Sequence, residues 1–243
     1  MRCLRIRHPN ELQNVGKDKG YSRFTRCTAA PQTLSYVPMQ PKFLYFDLGM
    51  VLVNFDVDRM LRQVGAVAGV GPEDVRAALF GGGLMRQYET GRLASRDFYE
   101  AFCAALGNRP DYDVLAAATA DIFELNLPVL PLAAQLRQAG YPMGILSNTC
   151  EIHWEHCLNR YRIVADAFAV HALSYRLGAM KPDAAIFRAA AELAGCRPEE
   201  IFFVDDLAEH VAGARAVGFD AVQFTSAEAL AADLRQRGMR FNY

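Results

Sequence analysis

Three apolar runs in this 243-residue chain stop abruptly at polar residues. Phe43-Leu44-Tyr45-Phe46 ends at Asp47, Met143-Gly144-Ile145-Leu146 at Ser147-Asn148-Thr149, and Ile201-Phe202-Phe203-Val204 at Asp205-Asp206. A fourth polar group, Lys181, stands directly before Pro182. A carboxylate that can attack, a hydroxyl, an ammonium and a second carboxylate pair together suit phosphoryl transfer. Attack by the carboxylate forms an aspartyl phosphate, and magnesium held by carboxylates offsets charge on the phosphate oxygens. Alone, each cluster is a weak signal, because an aspartate closing a strand is more often a turn residue or a helix cap. Four of them in order make a strong one.

The elements that must position these groups are legible from pattern. Uninterrupted apolar runs of this length look like strands buried on both faces of a parallel sheet. A further run, Ala221-Val222-Gln223-Phe224, ends at Thr225. Between the runs lie helices with recognisable ends. Leu130 to Ala139 stops at Gly140, Asp183 to Ala194 opens at Pro182 and stops at Gly195, and Ala208 to Val217 stops at Gly218. Thr225-Ser226-Ala227-Glu228 reads as a capping box for a last helix running to about Arg237. Alternating strands and helices predict an α/β fold, a doubly wound parallel sheet, over residues 41–55 and 129–243. In such a sheet, ligands bind at the carboxyl ends of the strands. Residues 56–128 break the alternation. Met60, Leu61, Val64 and Val67 recur at helical spacing, and Val75, Ala78 and Leu79 follow Pro72. Tyr99, Phe102 and Leu106 run from a cap at Ser95 to Gly107. These signals predict a helical insert, without strands, directly after the first strand.

Composition excludes several classes. The chain is 52% hydrophobic and 22% charged, ordinary for a globular enzyme. Its net charge of -1 provides no broad field for nucleic acid or an acidic membrane. No run approaches the roughly 18 apolar residues of a membrane span. Six cysteines without a CxxC pair suit the reduced thiols of a cytoplasmic protein. Residues 1–40 carry seven Lys/Arg against Glu11 and Asp18 and show no period, which reads as a poorly ordered leader. A targeting peptide would account for it, but a start set too early, with Met39 just before the first strand, is simpler. Residues 1–38 are therefore expected to be dispensable. Cys150, His153, His156 and Cys157 invite a zinc reading; His153 and Cys157 are i, i+4 on a helix, whereas Cys150 and His156 need not share their face. No second ligand group completes a zinc-finger spacing, so helix packing is the simpler reading.

Phe46-Asp47-Leu48-Gly49-Met50-Val51-Leu52 resembles the first motif of the haloacid dehalogenase (HAD) superfamily. Leu146-Ser147-Asn148 resembles its second motif, Lys181-Pro182 its third and Phe203-Val204-Asp205-Asp206 its fourth. Within the superfamily the chain is similar to bacterial sugar-phosphate phosphatases, the glucose-1-phosphate type included, through Asp-Leu-Gly at the first motif and Tyr88-Glu89-Thr90-Gly91 in the insert. The resemblance implies a Rossmann-like core with a small helical cap, and magnesium-dependent hydrolysis of a small phosphorylated metabolite, a sugar phosphate being the leaning. It implies that Asp47 is the nucleophile and a magnesium ligand, with the Gly49 carbonyl and Asp206 completing the protein ligands. Asp205 then supports the metal site from behind, Ser147 and the Asn148 amide hold phosphate oxygens, and Lys181 neutralises nucleophile and phosphate.

The chain departs from the family pattern at two positions. The family's usual general acid sits two residues after the nucleophile, where this chain has Gly49. Glycine has no proton to give, so the leaving oxygen must take one from water or another residue, His210 or a cap side chain, or leave without one. Leaving groups that depart easily are the expectation. His210 itself stands where relatives usually carry Asn or Asp. Two other functions fit the same residues: a metal-independent haloacid dehalogenase, and a catalytically silent binding protein. The pair Asp205-Asp206 argues against the first, and retention of Asp47, Ser147, Lys181 and Asp206 against the second.

Overall fold

In the computed structural model, which describes residues 40–243, the apolar runs form the strands of one parallel sheet. The strands are β1 (Phe43–Phe46), β2 (Val53–Phe55), β3 (Phe123–Leu125), β4 (Met143–Ser147), β5 (Val170–Leu173), β6 (Ile201–Asp205) and β7 (Asp220–Gln223). Five of them make the parallel sheet, in the order β5-β4-β1-β6-β7. The chain winds outward from β1 on one side, returns, and winds outward on the other, so β1 between β4 and β6 is the switch point. The expectations for residues 1–39, the leader and the start at Met39, lie outside the described residues.

Side chains alternate across the central strands, and each face of the sheet has its own core. Leu44, Phe46, Ile145, Phe202 and Val204 pack on one side with Leu132, Leu136 and Trp154. Phe43, Tyr45, Leu146 and Phe203 pack on the other with Ile186, Phe187 and Ala190. Gly144 in β4 is there for close approach: a Cβ would lie 2.7 Å from the Tyr45 ring. That ring is buried, and its hydroxyl donates to the Ala190 carbonyl at 2.8 Å.

Residues 56–128 are mostly helical, as expected, with helices Val57–Ala68, Pro72–Arg76, Leu84–Glu89, Ser95–Leu106 and Tyr112–Ala120. The expectation of no strand there is corrected. β3 pairs antiparallel with β2, so a two-stranded ribbon carries the chain out of the core and back. Three residues, only partly buried, are too few to show a two-residue period. β5 also escaped the sequence reading, because it is a sheet edge and contains the half-buried His171. Ser95 is the first helical residue and not a cap; its hydroxyl pairs with Tyr88 and Glu151 instead. The last helix, Ala227–Gln236, is capped by Ser226, which accepts from the Ala229 amide at 3.1 Å. Among the described residues no helix is long and apolar enough to cross a membrane.

The cap is fastened to the core at the Tyr88-Glu89-Thr90-Gly91 turn. Tyr88 is buried, and its hydroxyl accepts from the Ile152 amide at 3.2 Å. The Ser174 hydroxyl donates to the Glu89 carbonyl at 2.6 Å and accepts from the Thr149 amide at 2.9 Å. Gly91 has a positive φ of 68°, and a Cβ there would stand 2.0 Å from the Tyr175 carbonyl oxygen. Only glycine meets both demands without strain. Gly91→Ala is therefore expected to cost about 1–3 kcal/mol by prising the turn off Ser174-Tyr175. Thermal melts should show a fall of several degrees, and an unchanged midpoint would mean that the turn is not a fastening.

Candidate active site

The carboxyl ends of β1, β4 and β6 bring Asp47, Ser147 and Asp205 to one edge of the sheet. Lys181 reaches them from the loop before the helix Ala184–Ala194. Its side chain is wholly buried, and its ammonium lies 2.9 Å from Asp47 Oδ1, 2.5 Å from Asp205 Oδ2 and 3.1 Å from the Leu146 carbonyl. Three charged groups from three parts of the chain thus share one dry point. An unpaired charge there would be prohibitive, and the mutual pairing is what makes burial tolerable.

Asp205 is fully buried and saturated. Oδ1 accepts from the Leu207 amide at 2.9 Å and lies 3.0 Å from His210 Nδ1, while Oδ2 takes the lysine. Burial works against its charge, but the His210 hydrogen bond and the Lys181 ammonium outweigh it and hold the carboxyl below the usual carboxylate range. Asp47 is different. Burial pushes it up to about 6, with Lys181 pulling the other way. Its Oδ1 takes both the lysine and the Leu48 amide at 2.7 Å, leaving Oδ2 without a protein hydrogen bond among the described residues. Asp206, next along the chain, is partly exposed, and burial together with the charge of Asp205 raises its carboxyl.

Asn148 turns out to have a positioning job. Its side-chain oxygen accepts from the Lys181 amide at 2.8 Å, and its Nδ2 donates to the Lys181 carbonyl at 3.0 Å. The clasp sets where the lysine side chain begins; the backbone N–H and the second amide proton of Asn148 remain as donors. Ser147 is buried, with only a 3.5 Å approach to the Asn148 carbonyl. The motif-one turn closes through Met50 N to Val53 O and Val53 N to Leu48 O, so neither bond uses the Gly49 carbonyl. Met50 takes a positive φ of 56° to make that turn.

The donor chemistry suits a hard divalent cation. Three carboxylates, Asp47, Asp205 and Asp206, lie in the field of one ammonium, which leaves negative charge in excess. Asp47, Asp205 and His210 have potential ligand atoms within 4.8 Å of one another. Asp205 and His210, however, spend theirs on each other and on Lys181, so that trio is a hydrogen-bond network. Asp47, the Gly49 carbonyl and Asp206 are the oxygen donors left over, and all-oxygen sets are what magnesium takes. Cys150 and Cys157 are buried in two different apolar clusters and His153 lies at a cavity wall, and the three form no such cluster among the described residues.

A cavity of about 140 Å³ adjoins this edge, roofed by the cap. Gly49, Ser147, Asn148 and Thr149 line it from the core, and Met60, Met85 and Glu89 from the cap. Asp47 is not part of its wall, although Leu48 and Gly49 are. The ring of Phe55 stands where a side chain at position 49 would begin, because a Cβ there would come within 2.8 Å of it. Glu89 and His153 line the same cavity; the sequence reading gave Glu89 only a motif likeness and His153 a zinc reading set aside for helix packing.

A family model described as "haloacid dehalogenase-like hydrolase" matches residues 61–218, a span that holds Ser147, Lys181 and Asp205-Asp206. The chain belongs to the haloacid dehalogenase-like hydrolases. It is 26% identical over 182 residues to a phosphatase of Mycobacterium tuberculosis (strain CDC 1551 / Oshkosh), covering 72% of this chain and 83% of that one. A HAD family enzyme from Bacteroides thetaiotaomicron, solved with magnesium and inorganic phosphate, is 28% identical with a TM-score of 0.68, covering 76% of this chain and 95% of that one. A HAD-like family hydrolase from Porphyromonas gingivalis is 25% identical with a TM-score of 0.70, covering 81% and 98%. The L-2-haloacid dehalogenase of Xanthobacter autotrophicus, at 23% identity and a TM-score of 0.55 over 80% and 82%, shares the fold.

The two acidic neighbours should separate cleanly on substitution. Asp205→Ala strips partners from a buried lysine and histidine and is expected to cost about 3–5 kcal/mol of stability. Asp206→Ala should leave the melting temperature nearly unchanged and sharply raise the magnesium concentration needed for activity. Paired melts and magnesium titrations check this, and the reverse pattern would exchange the two roles.

Proposed function

We propose that this HAD-like hydrolase is a magnesium-dependent phosphatase acting on a small phosphate ester through an aspartyl phosphate on Asp47. The observation that carries the reading is the buried Lys181 ammonium joining Asp47 to Asp205 beside Ser147 and Asn148. A lysine so placed serves a dianionic group arriving at Asp47, since it holds the nucleophile and adds positive charge where phosphate oxygens come to rest. The similarity to a phosphatase, and to an enzyme that binds magnesium and phosphate, supports the same reading.

In this mechanism Asp47 forms the bond to phosphorus as the bond to the leaving oxygen breaks, and water later hydrolyses the acyl phosphate. Ser147 Oγ and the Asn148 N–H groups hold the transferring oxygens, and Lys181 offsets their charge. Magnesium, held by Asp47, the Gly49 carbonyl and Asp206, would add charge stabilisation at the same oxygens. The cavity of about 140 Å³ beneath the cap supports a compact leaving group. Its wall is mainly apolar, from Leu48, Phe55, Met60, Phe80 and Ile122, which speaks for a leaving group with fewer hydroxyls than a hexose.

A dehalogenase has the same nucleophile and fold, but a halocarboxylate needs no carboxylate-bound metal, and Asp206 would then have no task. Asp47→Asn is expected to keep the fold and lose turnover by at least about 10³-fold, since the carboxamide is a poor nucleophile. Beryllium fluoride with magnesium should trap wild-type Asp47 and fail on the variant. Phosphatase activity that survives either the substitution or removal of magnesium by a chelator would overturn the proposal.

A further inference from the structure

We infer that Glu89, in the cap, protonates the leaving oxygen in place of the acid that Gly49 cannot supply. The inference rests on the phosphatase reading above and assigns one further residue to it.

The geometry narrows the donor by elimination and by placement. Position 49 has no side chain, and the Phe55 ring already fills the space beside it. Lys181 is spent on Asp47, Asp205 and the Leu146 carbonyl. His210 faces Asp205 through Nδ1. Of the residues lining the cavity, only Glu89 and His153 carry a titratable side chain. His153 has a buried Nε2 with no hydrogen-bond partner, and burial lowers it to about 4, so at neutral pH it has no labile imidazolium proton to give. That leaves Glu89.

Glu89 is also held in place. Its carbonyl takes the Ser174 hydroxyl at 2.6 Å, and the same hydroxyl takes the Thr149 amide at 2.9 Å. Two hydrogen bonds therefore tie this cap residue to the loop that presents Ser147 and Asn148. Among the described residues its carboxyl forms no hydrogen bond and no ion pair, although it is partly buried at the cavity wall. The charged and titratable groups around it are Arg86 on its own helix, and Cys150 and His153 at the start of the helix Glu151–Arg160. Burial raises its carboxyl to about 7, with Arg86 opposing, which suits an acid that must be protonated near neutral pH. The cap thus contributes a group to the chemistry as well as a roof.

The step balances without any further reagent. As Asp47 bonds to phosphorus, the phosphorus–oxygen bond breaks, its electron pair goes to the leaving oxygen, and that oxygen takes the Glu89 proton. The alcohol departs. When water attacks the aspartyl phosphate, the Glu89 carboxylate takes the water proton, and Asp47 leaves as a free carboxylate with inorganic phosphate.

The test is single-turnover phosphotransfer to Asp47, with magnesium, from 4-nitrophenyl phosphate and from simple alkyl phosphates, in wild type, Glu89→Gln and Glu89→Asp. Wild type should depend weakly on leaving-group pKa. Glu89→Gln should lose about 10²–10⁴-fold on alkyl esters and only a few-fold on the nitrophenyl ester, whose oxygen needs no proton. Wild type should decline in rate above about pH 7, and Glu89→Gln should lack that decline. Glu89→Asp, which keeps the acid, should recover part of the alkyl activity. Melts supply a readout independent of turnover. A carboxyl raised by burial disfavours its charged form, so its share of stability is present at low pH and lost as pH rises through about 7. Glu89→Gln should therefore melt higher than wild type at pH 8 and close to it at pH 5. Equal losses on both ester classes, or a lower melting temperature at both pH values, would overturn the assignment and make Glu89 structural. If wild type transfers phosphate from neither ester, the phosphatase reading fails and the assignment goes with it.

Discussion

The Lys181 ammonium is the point on which this site hangs. It enters a place where its side chain is fully buried, and it can stay there only because Asp47 and Asp205 meet it from two neighbouring strands. The same contact fixes the relative positions of the ends of β1 and β6, while the Leu146 carbonyl ties in the end of β4. Asn148 clasps the lysine main chain from the loop after β4. A site built this way is preorganised, since its charges are oriented before a substrate arrives and need not reorganise in the transition state. It is also costly in isolation, because removing one partner strands the others in a dry interior.

The sheet makes that convergence possible. Strands pairing in parallel with β1 at the centre deliver their last residues to one edge, so residues separated by more than a hundred positions become neighbours. The cap then closes the edge. Its hold on the core includes polar contacts at the turn Tyr88 to Gly91, the Ser95–Glu151 pair, and Cys150, which packs into the cap's own core. The ribbon of β2 and β3 carries Phe55 over Gly49, so that the cap's entry strand also shapes the chemical floor.

The fold shared with dehalogenases and with phosphate-binding relatives shows how little of the chemistry the architecture dictates. What an aspartate at the end of β1 can do is set by what surrounds it. Here the surroundings are a second and third carboxylate around a single ammonium, an excess of negative charge on which the phosphatase proposal rests.

Much of this was legible in the amino-acid order. Apolar runs ending in Asp47, Ser147 and Asp205 announce buried parallel strands, because a strand covered on both faces has no reason to alternate. Gly140, Gly195 and Gly218 mark helix ends, because each stands in the left-handed region that other residues avoid. Local chemistry of this kind is written in neighbouring residues. Short or half-exposed elements, β2, β3 and β5, were not legible, since three or four residues with mixed burial have no period to detect. Tertiary structure alone decided that Asn148 grips Lys181, that His210 faces Asp205, that Phe55 fills the space beside Gly49, and that Glu89 lines the same cavity as Ser147. Asn148 and Lys181 are 33 residues apart, and even the nearer pairs, His210 with Asp205 and Phe55 with Gly49, meet only through the way a loop folds back, which leaves no trace in local spacing.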